Sequence, residues 1–257
     1  MDMQEKDTVE LSKDLFAQER KDDFRKDKGK VKKKRKKETS EVDIQAVSGS
    51  DETQSLLDFE KDLWDRDFAY IAGIDEVGRG CLFGDVVAAA VILPKGLIIP
   101  EIDDSKKLSA KKRELLYEEI MNQAIAVGIG KVDCQTIDRI NIKQAARLAM
   151  KTALEQLEPL PDYLLVDAEK VESDIPQLAV IHGDARSQSI AAASIVAKVT
   201  RDRMCLQWDL QYPEYGIALH KGYATKLHRE AILQFGACPL HRRSFLGNLT
   251  NVQQELF

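Results

Sequence analysis

Five short apolar runs after residue 66 constrain this chain most: FAYIAGID (68–75), VVAAAVIL (86–93), AIAVGIGKV (124–132), DYLLVDA (162–168) and LAVIHG (178–183). Each is bounded by Gly, Pro or charge, as buried strands are. Helical patterns lie between them. SAKKRELLYEEIMNQ opens on Ser109 as an N-cap, and IKQAARLAMKTALEQL lines Ile142, Ala145, Ala146, Ala149 and Ala153 along one face. The first two runs are too close for a helical crossover, so the first three strands are expected to form a meander. The fourth follows a long helix and is expected in parallel. The fold class is therefore α/β. The final third is helical: SQSIAAASIVAKVTRDRMCLQWDL (187–210) starts with small residues that allow close approach to a sheet, and ATKLHREAILQFG (224–236) ends on Gly236 as a C-cap.

Composition divides the chain. Residues 1–65 are dominated by Lys, Glu, Asp, Gln and Ser, which offer little to bury and predict a charged, partly disordered extension. Residues 66–250 are the folded domain, and 251–257 a tail. A net charge of −5 discourages phosphate binding, but the cations are not evenly spread. KGKVKKKRKK (28–37) reads first as a solvated, self-repelling tail and second as a nucleic-acid tether. A second basic zone holds Lys221, Lys226, Arg229, Arg242 and Arg243, joined by His220, His228 and His241. No apolar run approaches the roughly 20 residues of a membrane span, and MDMQEKDTVE is no secretory signal, so a soluble cytoplasmic protein is expected. Cys81, Cys134, Cys205 and Cys238 are scattered without metal-ligand spacing, which predicts neither a zinc site nor disulfides.

The chemistry concentrates in YIAGIDEVGRG (70–80). Adjacent strand residues face opposite ways, so Asp75 and Glu76 share a site only if the strand stops or twists there; Gly78 and Gly80 supply the stop. The G-x-x-x-x-G spacing is not a P-loop: Arg79 stands for the lysine, Gly80 for the hydroxyl, and carboxylates would face the phosphates. Asp167 ends a second run. Two parallel strands finishing on acids would bring Asp75 and Asp167 to the carboxyl edge of a sheet, where open α/β folds hold ligands. Such a group needs protonation or a divalent cation, and an oxygen-only donor set selects Mg²⁺ or Mn²⁺. On the 187–210 helix Ala191, Ile195, Lys198 and Asp202 share a face, making Asp202 a further ligand. Asp184, in HGDARS before that helix, is its rival and equally suited to capping.

Taken in order over residues 70–245, GIDEVGRG, DDSKKLSAKKRE, DYLLVDA, SIAAASIVAKVTRDR and HKGYATKLH resemble the motifs of bacterial ribonuclease HII. The resemblance implies a ribonuclease H-like fold, a five-stranded mixed sheet flanked by helices with a C-terminal helical portion. It implies a monomer with no membrane association that cuts RNA in RNA–DNA hybrids and single ribonucleotides in duplex DNA, leaving 3′-hydroxyl and 5′-phosphate ends. It also implies two divalent cations, Mn²⁺ or Mg²⁺, on Asp75, Glu76, Asp167 and Asp202. Gly78, Arg79 and Gly80 match the loop that grips the ribonucleotide, and Tyr223 matches the tyrosine against the sugar next to the RNA–DNA junction. Lys198, Lys221 and Lys226 would neutralise phosphates. Where the family usually reads GRGPLAGPVVAAAV, this chain reads GRGCLFGDVVAAAV; with Cys81 and Asp85 in place of prolines, a less rigid loop is expected. The terminal QQELF, with Gln253, Leu256 and Phe257, resembles a sliding-clamp docking peptide.

Overall fold

The computed structural model describes residues 55–247; the lysine run 28–37 and the 253–257 peptide lie outside them. Helix α1 (Asp58–Asp65) precedes β1 (Ile71–Val77), β2 (Val86–Ile92), α2 (Ala110–Gln123), β3 (Ala126–Val132), α3 (Cys134–Ile140), α4 (Ile142–Glu155), β4 (Tyr163–Asp167) and β5 (Gln177–Val180). Then come α5 (Gln188–Gln211), α6 (Ile217–His220) and α7 (Lys226–Phe235). The sheet runs β3-β2-β1-β4-β5. β1, β2 and β3 pair antiparallel as the expected meander, whereas β4 joins β1 in parallel and β5 joins β4 in parallel. Among the described residues no helix is long and apolar enough to cross a membrane.

Both faces of the sheet are covered, so β2 reads as a continuous apolar run with every residue buried. Ile74, Ala88, Ala90 and Ile92 pack against Ala145, Ala146, Ala149 and Met150 of α4. Ala89 and Val91, on the alternate positions, pack against Ala191, Ala192 and Ile195 of α5 and Leu116 and Ile120 of α2. Each buried Leu, Ile or Val contributes roughly 1.5–3 kcal/mol. The alanines of α5 serve a different end, contact distance. A Cβ on Gly73 would lie 2.0 Å from the Ser189 carbonyl carbon, so the helix rests on the backbone of β1 and the register between them is set there.

Two expectations are corrected. The fold begins before residue 66: Leu63 of α1 is buried with Ile71 and Tyr163, and Glu60 accepts bonds from the Ser187 hydroxyl (2.6 Å) and the Ser189 amide (3.0 Å) at the start of α5. Nor is the C-terminal basic zone all surface. His220, His228, His241 and Arg242 are buried, while Lys226, Arg229 and Arg243 are exposed. His228 and His241 pack their rings against a third core, where Phe83, Cys205, Tyr215, Ile217, Ile232 and Cys238 pack the C-terminal helices onto the loop after β1.

Candidate metal and nucleic-acid site

Ile74 pairs with Val166, so the next residues, Asp75 and Asp167, emerge together at the carboxyl ends of β1 and β4. β5 runs parallel beside β4 and its chain returns at the same edge, entering a single 3₁₀ turn, Gly183–Ala185, that carries Asp184. The Gly183 amide donates to Asp167 Oδ1 at 2.7 Å, tying the turn to the strand. One carboxylate oxygen from each of Asp75, Asp167 and Asp184 lies within 4.8 Å of the others.

The strand does not stop at Asp75. It continues through Glu76 to Val77, and the two acids keep opposite sides. Asp75 turns to α5 and bonds Ser194, whose Oγ is 2.9 Å from that of Ser105; its Oδ1 also accepts the Glu76 amide at 2.7 Å. Burial, then the charges of Glu76 and Asp167, hold the Asp75 carboxyl well above the usual carboxylate range. Burial raises Asp167 as well. On the other side, Glu76 Oε1 accepts from Arg79 at 3.1 Å, and Arg79 reaches Glu169 at 4.0 Å. Burial still pushes the Glu76 carboxyl up, and its Oε2 is buried with no hydrogen-bond partner among the described residues. Asp184 holds Lys106 Nζ at 2.7 Å. Burial works against the Lys106 ammonium, but the bond and charge of Asp184 outweigh it and raise its pKa.

Asp202 is not brought into this group. It sits eight residues beyond Ser194 on α5, about 12 Å along the axis, and its carboxylate is occupied by Lys198 at 2.7 Å and Arg113 at 3.7 Å. The acid beside Asp75 and Asp167 is Asp184. Counting helical faces found a shared side for Lys198 and Asp202 but not their height along the helix.

The loop after β1 is pinned, contrary to the loosening expected from the absent prolines. Leu82 N–H donates to the Gly222 carbonyl, Gly84 N–H to Leu240, and Arg242 N–H to Leu82, each at 2.8 Å. Two buried guanidinium groups hold its carbonyls from beneath. Arg201 donates to Phe83 (3.0 Å), Asp85 (3.0 Å) and Lys221 (2.8 Å), and Arg242 to Gly84 (2.8 Å) and Arg79 (3.1 Å). Gly78 has φ 94° and a Cβ there would stand 2.3 Å from Arg201 Nε, so the turn requires glycine twice over. A Cβ on Gly80 would meet nothing within 4 Å. Asp85 is raised to about 6 by burial and Asp133, against Arg201 and Arg242. Tyr223 is 43% exposed and bridges to Cys81. Lys221 Nζ donates to the Ala218 carbonyl at 2.7 Å. Sequence reasoning missed Arg201 and Arg242, because nothing local separates a buried arginine from a surface one.

A five-stranded mixed sheet with helices on both faces, and acids at the carboxyl ends of two parallel neighbours, defines a ribonuclease H-like fold. The same fold is found in ribonuclease H2 from Pyrococcus horikoshii OT3 (TM-score 0.62, 24% identity, 72% of this chain and 98% of that one). A solved PCNA:RNase HII complex from Archaeoglobus fulgidus matches with TM-score 0.56 and 26% identity over 68% of this chain and 94% of that one. The family model described as Ribonuclease HII matches residues 72–247. A Ribonuclease HII of Alkaliphilus metalliredigens (strain QYMF) is 61% identical over 196 residues, 74% of this chain and 96% of the relative. That of Alkaliphilus oremlandii (strain OhILAs) is 53% identical over 199 residues, 75% of this chain and 98% of the relative. The chain belongs to the ribonuclease HII family and is a ribonuclease H endonuclease.

Proposed function

We propose that this endonuclease is metal-dependent and cleaves both the RNA strand of RNA–DNA hybrids and single ribonucleotides embedded in duplex DNA, leaving 3′-hydroxyl and 5′-phosphate ends. One observation carries the reading: three carboxylates from two strands and a turn converge within 4.8 Å, with Lys106 the one ammonium paired to them among the described residues. The donor set fits Mg²⁺ or Mn²⁺. It is all oxygen, burial holds the carboxyls of Asp75, Glu76 and Asp167 above the usual range, and Glu76 Oε2 is a buried acceptor without a donor among the described residues. A ribonuclease HIII solved in complex with Mn²⁺ shares the fold, with TM-score 0.55 and 19% identity.

Asp75, Asp167 and Asp184 would hold the cations, with Glu76 swinging from Arg79 to join them. Asp202 is given instead the task of holding Lys198 at the phosphate face, with Lys221 nearby in the same role. When bound there, divalent ions would supply a nucleophilic water and charge stabilisation for the leaving oxygen. The chain supplies the choice of sugar. Main-chain groups of Gly78 and Gly80, with the Arg79 guanidinium as donor, hydrogen-bond a 2′-hydroxyl, and a site that must pair with that hydroxyl rejects DNA because its own polar groups would be left unmet. Tyr223, exposed beside this loop, packs on the adjacent sugar.

The test is cleavage of a duplex bearing one ribonucleotide against an all-DNA control, with and without Mn²⁺, with end-mapping of the product. Cutting of the control, or turnover indifferent to chelator, would count against the reading. We also place Gln253, Leu256 and Phe257 on a sliding clamp, since the A. fulgidus relative was solved with PCNA; unchanged clamp affinity after deletion of 253–257 would dispose of this.

A further inference from the structure

Three histidines form a buried layer under the segment that carries Tyr223, and their ring nitrogens can be assigned one by one. The Cys238 amide lies 3.0 Å from His241 Nδ1, and an amide can only donate, so that nitrogen is bare. The Tyr223 carbonyl lies 2.9 Å from His228 Nδ1, and a carbonyl can only accept, so that nitrogen carries a proton. Between the rings, His228 Nε2 and His241 Nε2 are 3.2 Å apart. With both rings neutral a single assignment remains: His241 Nε2–H donates to His228 Nε2.

Neutrality follows from the surroundings. Burial pushes both pKa values down to about 4. His220 stacks on His228 with centroids 4.4 Å apart, and the Arg243 charge also disfavours protonation of His241. Phe83 and Tyr215 stand edge-on to His241 at 4.8 and 4.7 Å, and Cys238 Sγ is 3.2 Å from its Nδ1. His220 is likewise spoken for, accepting from the Gly222 amide (3.2 Å) and donating to the Tyr215 carbonyl (2.8 Å). Every ring lone pair in the layer is therefore used, which leaves none for a metal ion.

We propose that His228 and His241 are positioning residues for Tyr223. The directed line from the Cys238 amide through His241 and His228 to the Tyr223 carbonyl sets the backbone at 223, and with it the aim of the exposed ring. The segment needs such a hold: Lys221 and Gly222 both have positive φ, 54° and 82°, so a turn with little intrinsic preference leads into Tyr223. The hold also reaches the substrate loop, because Gly222 accepts from Leu82 and Tyr223 bridges to Cys81. This inference rests on the reading of Tyr223 as a junction contact, which the experiment tests separately.

Imidazole ¹⁵N shifts of the full chain should show His228 protonated on Nδ1 and His241 on Nε2; the opposite tautomer at either ring overturns the line. Kinetics then compare a single-ribonucleotide duplex with a continuous RNA–DNA hybrid. His228→Leu, which keeps bulk but no donor, should lower kcat/KM about tenfold on the first relative to the second, chiefly through KM. His228→Asn, which keeps an N–H where Nδ1 stood, should recover most of that ratio. Equal losses on both substrates, or no recovery with Asn, refute the positioning role. Tyr223→Ala distinguishes the two ideas: an unchanged ratio sinks the junction reading and the role built on it, whereas a fallen ratio beside a normal His228→Leu sinks the histidine line alone.

Discussion

Two parts of this protein bury ionisable groups, and they treat them in opposite ways. At the carboxyl edge of β1 and β4, Asp75, Asp167 and Asp184 gather with few donors, and on the other side of β1 one oxygen of Glu76 has none among the described residues. Under the C-terminal helices, Arg201, His220, His228 and His241 are buried as deeply, yet their ring and guanidinium nitrogens meet carbonyls, amides or one another. The first group is left with carboxylates that repel one another, whereas in the second Arg242 Nη2 alone is buried without a hydrogen-bond partner among the described residues. Clustered like charges destabilise a fold, so their persistence in one place beside near-complete pairing in another supports the proposal that the first is the chemical site and the second its scaffold.

The largest expected effect tests the unsatisfied side. Asp75→Asn should reduce cleavage on the order of a thousandfold, about 4 kcal/mol at the transition state, while thermal stability holds or rises because one repelling carboxylate is gone. A variant that unfolds would erase the contrast. On the other side, Arg201→Met should cost about 3 kcal/mol in urea denaturation, because the carbonyls of Phe83, Asp85 and Lys221 lose their donors at once. Unchanged stability would mean that water replaces them freely.

Divalent cation sharpens the comparison further. At pH 7 and about 100 times its Kd, Mn²⁺ should stabilise the wild type by about 2.7 kcal/mol and Asp75→Asn by much less; equal shifts in melting temperature would place binding elsewhere. Acidity should act on the two regions with opposite signs. His228 and His241 have folded pKa values of about 4, below the unfolded 6.5, so the unfolded chain takes up more protons between those values. Their contribution is present above pH 6.5 and lost as pH falls towards 4. Asp75 is raised above its unfolded 3.8, so the folded state keeps its proton longer and stability falls as pH rises through its folded pKa. His228→Asn should therefore flatten the stability profile between pH 4 and 6.5 by about 2 kcal/mol or less, and Asp75→Asn should flatten the rise towards low pH that metal-free protein otherwise shows. The smallest effect is the most diagnostic for the fourth acid. Asp202→Asn should change turnover by no more than about threefold, as for a paired surface-type acid, whereas Asp184→Asn should cost about a hundredfold. The reverse order would restore Asp202 to the metal group.

Much of this site was legible from the residues because strands announce their own ends. Asp75 and Asp167 each close an apolar run, and parallel neighbours align such ends. Asp184 was harder, since HGD follows a strand too short to advertise its register, and only the return of β5 to the same edge brings it in. Asp202 misled because a shared helical face says nothing of height along the helix. The histidines and Arg242 misled in another way: residue type suggested a basic surface, but His228 and His241 lie against Phe83 and Arg242 reaches the Arg79 and Gly84 carbonyls, all from distant parts of the chain.

Periodicity and run-ending acids, being local properties, determined from sequence the α/β class, the meander, the parallel partner and the first carboxylates. Which acid completes the group, which cations lie inside, and how a loop without its expected prolines is held rigid were decided by tertiary structure alone. The reason is one of range: a strand's pleat and a helix's face repeat within a few residues, whereas a carboxylate's charge state and an arginine's burial depend on atoms that packing brings from a hundred residues away.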